Sequence, residues 1–266
     1  MIRTWPGVGA AAVSLLLLGA ACSGEDEQPD LSVPSDVAPR SDDADSDDAT
    51  DDDATDDDAT DPLIGETFHV AQAVDDALVV RASAQEGADE LVTLSAADEV
   101  SGKIICLVSQ QVGMWVEVHL PSGPTHRTGW VAREDVALSR HRFRIEVSRS
   151  THTLTLYTGE VVALTAPIAL GPDAPPAGEH LFIKDLVKSP NPASPYGAYA
   201  YGLSGSDNEL GDFTSGSGVV AVHGTGDPSS LGGEVPYGAI AVGDDIVTRF
   251  VDTIGIPLGT PVDVVE

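Results

Sequence analysis

The chain has 266 residues, with 43 Asp and Glu against 13 Lys and Arg and a formal net charge of −30 at pH 7. No basic stripe is available to neutralise phosphates, which argues against nucleic acid and other anionic polymers as partners. The length has room for one or two domains. At the start, Arg3 precedes an apolar run from Ala10 to Leu18 and then the small residues Gly19, Ala20 and Ala21. Residues 1–22 therefore read as a secretory signal, too short to span a bilayer permanently.

The ending Leu18-Gly19-Ala20-Ala21-Cys22 resembles a bacterial lipobox, although Gly19 stands where Leu, Val or Ala is usual. That resemblance implies diacylation of Cys22 and a membrane anchor; simple secretion after Ala21 is the alternative. If Cys22 is lipidated, Cys106 has no partner for an intramolecular disulfide. Cys106 lies in the apolar run Lys103–Val108 and reads as a buried small hydrophobe rather than a reactive thiol.

Residues 23–62 repeat Asp-Asp-Asp-Ala-Thr and carry almost no large apolar side chains. Such a segment cannot offset its chain entropy by burial and is expected to be a disordered acidic linker. Its self-repulsion would extend it to roughly 35 Å or more. The aspartates lack the Gly and closing Glu of an EF-hand loop, so calcium binding is not expected.

From 63 to 140 the sequence predicts short strands broken by Gly, Pro and Asp. Alternation is clear in Ala77–Arg81 and Met114–Leu120. A turn follows at Pro121–Pro124, then a strand from Arg127 to Val131. The pair Trp115-Val116-x-Val118-x-Leu120-Pro121 and Thr128-Gly129-Trp130-Val131 resembles bacterial SH3-like modules. The resemblance implies a small barrel with Trp115 and Trp130 as core anchors. An aromatic platform for glycan or peptide stems is the alternative.

Residues 141–266 predict a second β domain. Strands are expected at Phe143–Val147, Thr151–Tyr157, Glu160–Leu164, Pro167–Gly171, within Pro175–Ile183, at Tyr196–Ser204 and at Gly259–Val265. Ser206–Phe213 reads as a short turn or helix. One helix is expected from Asp244 to Thr253, where Ile246, Val247, Phe250 and Val251 recur at helical spacing. The fold class is mainly β with one short helix.

The C-terminal third holds the chemistry. It reads His223-Gly224-Thr225, then Pro228, Leu231-Gly232 and Pro236-Tyr237-Gly238-Ala239-Ile240-Ala241. This resembles the active-site segment of the L,D-transpeptidase (YkuD-type) family, whose pattern is His-Gly-Thr, Pro, Leu-Gly, then Ser-His/Asn-Gly-Cys-Ile-Arg. The resemblance extends over about Phe143–Val265. It implies a β-sandwich in which a cysteine thiolate attacks a peptidoglycan stem, with a histidine as base and backbone donors for the oxyanion. Carried over, the base position is His223, followed by the small Gly224. Tyr237 and Gly238 border the oxyanion pocket, and Tyr201 lies on the cleft strand.

The departures sit at the centre of the pattern. Ala239 occupies the nucleophile position, Ala241 the arginine position and Pro236 the serine position. A methyl group cannot form an acyl-enzyme. The expectation is an exported, catalytically inactive wall protein that binds peptidoglycan stems or cell-wall proteins, with no cofactor or metal. Alternatives are an active transpeptidase using Ser229 or Ser230, and a surface interaction platform. A metal site of His223 with His180 or Asp227 lacks the expected histidine spacing.

Overall fold

Alternation of apolar and polar residues organises the first set of strands, and every second side chain goes to one core. In the computed structural model these are β1 (Phe68–Ala73), β2 (Ala77–Arg81), β3 (Glu90–Ser95), β4 (Ile105–Val112), β5 (Trp115–His119), β6 (Thr128–Ala132) and β7 (Val136–His141). They form one sheet in the order β3-β2-β6-β5-β4-β1-β7. The structure describes residues 67–191, 196–205, 220–235 and 239–266, all of them in the unit Asp57–Glu266. The signal over 1–22 with Cys22, the linker 23–62, the Ser206–Phe213 segment and Pro236, Tyr237 and Gly238 lie outside the described residues.

Leu78, Val80, Ile104, Cys106, Val116, Val118 and Val131 fill the core of this sheet. Cys106 is fully buried, and burial pushes its thiol well above the usual range, so it is the inert small hydrophobe expected. The tryptophans differ from expectation. Along β5 the buried positions are Val116 and Val118, so Trp115 lies with Glu117 and His119 on the opposite, half-buried face. Trp130 likewise sits beside the fully buried Val131 and outside the core cluster. The two-residue period gives the inward positions to Val116, Val118, Gly129 and Val131 and turns both indoles outward.

The second set closes on itself. Strands β8 (Phe143–Ser148), β9 (Thr153–Thr158), β10 (Val161–Leu170), β11 (His180–Lys188), β12 (Tyr199–Leu203), β13 (Ala221–Thr225), β14 (Ala239–Gly243) and β15 (Pro261–Val265) form a closed barrel, ordered β10-β14-β13-β12-β11-β15-β8-β9. Pairing is antiparallel except for β13 with β14 and β15 with β8. Ile145, Leu154, Leu156, Ile183, Tyr201, Val222, Ile240 and Phe250 are among the side chains filling it. The mainly β class with one short helix is as expected. Helix α1 (Asp244–Thr248) runs into a π-helical turn, Arg249–Ile254, and stops at Gly255 in the left-handed region.

The two strands expected at Glu160–Leu164 and Pro167–Gly171 are one strand. β10 pairs with β9 as far as Pro167 and with β14 from Ile168 onward. Proline cannot donate to a ladder, and here it falls at the handover between partners, where it does not end the strand.

The barrel and the first sheet meet through buried polar groups. The register of β11 shifts between Ile183 and Asp185. At this bulge Lys184 and Asp185 both reach the segment between β3 and β4. Lys184 Nζ lies 3.1 Å from Glu99 Oε2, with both side chains less than a tenth exposed. Asp185 Oδ1 accepts the Ser101 N–H at 2.8 Å.

Candidate active site

Strand β13 carries His223, and its two faces have different duties. Val222 belongs to the barrel core, so His223, Ala221 and Thr225 lie on the other face. In the parallel pairing with β14, Ala221 stands opposite Ala239, His223 opposite Ala241 and Thr225 opposite Gly243. Partners in register point to the same face of a sheet. Ala239 and Ala241 therefore share the histidine's face. Ala239 is one strand over and two residues along, roughly 8 Å away between Cα atoms from strand spacing and rise.

His223 as a whole is 6% exposed. Its Nδ1–H donates to the Gly224 carbonyl at 2.7 Å. In the neutral ring that bond leaves the lone pair on Nε2. Burial holds the pKa below the ordinary histidine value, against a smaller opposing effect of the Gly224 hydrogen bond. Tyr196 packs edge-on against the ring, with centroids 5.1 Å apart and planes at 75°. The arrangement is a neutral, oriented base whose cross-strand partners are Ala241 on β14 and Ala200 on β12. It can accept a proton or a hydrogen bond at Nε2. Among Ala221, Ala239 and Ala241 it meets no side chain able to attack a carbonyl.

Gly224 has a packing role. It lies within β13 rather than in a tight turn. A Cβ there would run into Asp244 Oδ1 and come within 2.8 Å of Val247 Cγ1. The glycine lets the start of α1 approach the strand. Tyr201 is not brought to the His223 face. It pairs with Val222 across β12 and β13 and is fully buried in the barrel core. Its hydroxyl has no hydrogen-bond partner among the described residues, and burial raises its pKa. Ala200 is the β12 residue that stands opposite His223. Tyr237 and Gly238 lie outside the described residues.

The alternative nucleophiles are engaged elsewhere. Ser229 donates its hydroxyl at 2.5 Å and its N–H at 3.0 Å to Asp227 Oδ1, which holds that carboxyl below its usual range. Ser230 Oγ donates to the Asp227 carbonyl at 2.8 Å. Both are exposed or half-exposed turn residues on the 3₁₀ turn Pro228–Ser230. His180 Nδ1–H donates to Asp263 at 2.6 Å, on β11 and β15, so it does not join His223. No group of three His, Cys, Asp or Glu side chains among the described residues is arranged to hold a metal ion.

Sequence reasoning missed two residues at this site, Tyr196 and Asp244. The Tyr196-Gly197 dipeptide before a strand was the available signal for the first. A carboxylate at the start of α1 was the signal for the second.

No family model matches the chain. A putative L,D-transpeptidase YkuD of Bacillus licheniformis is 32% identical over 124 residues, which is 46% of this chain and 65% of that protein. The chain thus spans less than two thirds of that relative. Among solved structures, an L,D-transpeptidase from Mycobacterium smegmatis aligns over 60% of this chain and 95% of its own, at 17% identity and a TM-score of 0.35. L,D-transpeptidase 3 from Mycobacterium tuberculosis aligns over 58% and 93%, at 16% identity and a TM-score of 0.37. TM-scores this low add no argument of their own. The sequence match makes this part of the chain similar to a YkuD-type L,D-transpeptidase.

Proposed function

We propose that this chain is an L,D-transpeptidase-like protein of the cell wall that binds peptidoglycan stem peptides without cross-linking them. One observation carries the reading: the β13–β14 register sets the methyl groups of Ala239 and Ala241 on the face of a neutral, oriented His223. Acyl transfer by the family's route needs a nucleophile beside that base. Here the base position is retained and the position aligned with the cysteine holds alanine. Binding needs only the Nε2 acceptor and backbone groups.

In this reading the strands before residue 141 act as an SH3-like module. A diacylated Cys22 and the acidic linker 23–62 tether the head on the outer face of the membrane. Titration calorimetry with a tetrapeptide stem tests the core of the proposal. Saturable heat is expected, with no carbapenem adduct in intact mass spectrometry. Absence of any stem binding overturns the binding role, and a carbapenem adduct overturns the inactivity. Labelling with a radioactive fatty acid, lost in Cys22→Ser, checks the anchor separately.

A further inference from the structure

Three segments far apart in sequence meet beside His223. Gly224 follows the histidine and supplies the carbonyl that accepts its Nδ1–H. Tyr196, Gly197 and Ala198 lead into β12, with the Tyr196 ring against the imidazole. Asp244 opens α1 directly after β14. Its Oδ1 accepts the Ala198 N–H at 2.7 Å.

The contacts are closer than side chains allow. A Cβ on either Gly197 or Gly224 would collide with Asp244 Oδ1. A Cβ on Gly197 would also stand 2.7 Å from Gly224 Cα. Gly197 has φ +65°, a left-handed conformation that suits glycine and turns the chain immediately after Tyr196. One carboxylate oxygen thus touches both glycine segments and is hydrogen-bonded to the peptide that follows Tyr196-Gly197.

We infer that Asp244 is a positioning residue for His223: its carboxylate clamps Gly197 against Gly224 and thereby keeps the Tyr196 ring seated on the imidazole. The inference rests on reading His223 as the retained base position, but its test does not require catalysis. Two titratable groups bear on that test: the Tyr196 phenol, whose ring touches the imidazole, and the Asp244 carboxylate, which lies against Gly224 on the Val247 side of β13, the face opposite the imidazole. Loss of the clamp leaves the Ala198 N–H without its acceptor and frees the Tyr196 turn. Water then reaches the ring.

The charge and the clamp act on the histidine in opposite directions. Removing a nearby negative charge lowers an imidazole pKa, whereas admitting water to a buried one raises it. Asp244→Asn removes the charge but keeps an oxygen acceptor for Ala198. Asp244→Ala removes both.

The experiment is an NMR pH titration of the His223 ring nitrogens in the folded protein. Asp244→Ala is expected to raise the His223 pKa by about one unit, and Asp244→Asn to leave it unchanged or slightly lower. Tyr196→Ala should reproduce the rise and Tyr196→Phe should not. Tyr196→Ala carries the test by itself if Asp244→Ala does not fold. A His223 titration that stays at the parent value in folded Asp244→Ala, or in Tyr196→Ala, overturns the inference. A rise in Asp244→Asn equal to that in Asp244→Ala also overturns it. Failure of stem-peptide binding counts against the proposed function alone and leaves these titrations standing.

Discussion

Sulfur at position 239 would share a sheet face with a base whose lone pair is already oriented by the Gly224 carbonyl. In the proposed reading, position 239 lacks the nucleophile of the family pattern and position 241 its arginine side chain. Restoring Ala239→Cys together with Pro236→Ser, Tyr237→His and Ala241→Arg is expected to produce a carbapenem adduct visible in intact mass. The same variant carrying His223→Ala should lose most of the adduct rate, because an un-ionised thiol attacks slowly. An adduct that forms equally fast without His223 would show that the histidine is not acting as its base. The motif's spacing singled out His223, Ala239 and Ala241. It could not show that Ala241, rather than Ala239, stands directly opposite the imidazole. That follows from parallel register, which is a long-range property. Tyr201 was open to a better reading, since Tyr199, Tyr201 and Leu203 occupy alternate positions of β12 and all three join the core.

At the scale of elements, strand positions were legible wherever alternation was regular, as in Ala77–Arg81, which is β2 without a shift at either end. The helix was legible because its apolar side chains recur every three or four residues and face the barrel. The single strand β10 was not, because proline reads as a breaker unless the change of partner strand is known. The role of Gly224 was also hidden, since the atoms it makes room for come from Asp244 and Val247. Gly224→Ala is accordingly expected to destabilise the protein by about 1–3 kcal/mol, the usual cost of overpacking a tight contact. Urea denaturation measures it. An unchanged midpoint would mean that α1 can move away from β13 at little cost, and the clamp beside His223 would be loose.

Across the whole described unit, the seam between the sheet and the barrel depends on ionisable groups that the linear sequence does not pair. Glu99 and Lys184 are 85 positions apart, and both side chains are less than a tenth exposed. Burial raises the Glu99 carboxyl despite the pull of Lys184. Removing one partner leaves an uncompensated buried charge, so Lys184→Met is expected to cost about 3–5 kcal/mol. The double variant Lys184→Met with Glu99→Leu should recover most of that loss. If the single and double variants unfold at the same denaturant concentration, the pair is not coupled across the seam.

Acid sensitivity of the whole unit follows from its histidines. His223, His141 and His119 all have pKa values held below the ordinary imidazole value, in each case chiefly by burial. For His119 the neighbouring Glu117 pulls upward, while His126 and His180 push further down. His141 accepts the Phe143 N–H on Nδ1 at 3.2 Å, at the junction of β7 and β8, so protonation there breaks a bond between the two strand sets. The unfolded chain binds these three protons more tightly than the fold does. Their contribution is complete above the ordinary imidazole value and is lost as pH falls below it toward the folded values. Glu99 acts in the opposite sense, because its raised carboxyl takes up a proton more readily in the fold. One such group stands against three. The urea midpoint is therefore expected to fall between pH 7.5 and pH 5.5, and the fall should shrink in His141→Gln. A midpoint that holds level or rises over that interval would mean that these imidazoles are more hydrated than their burial implies, His223 among them.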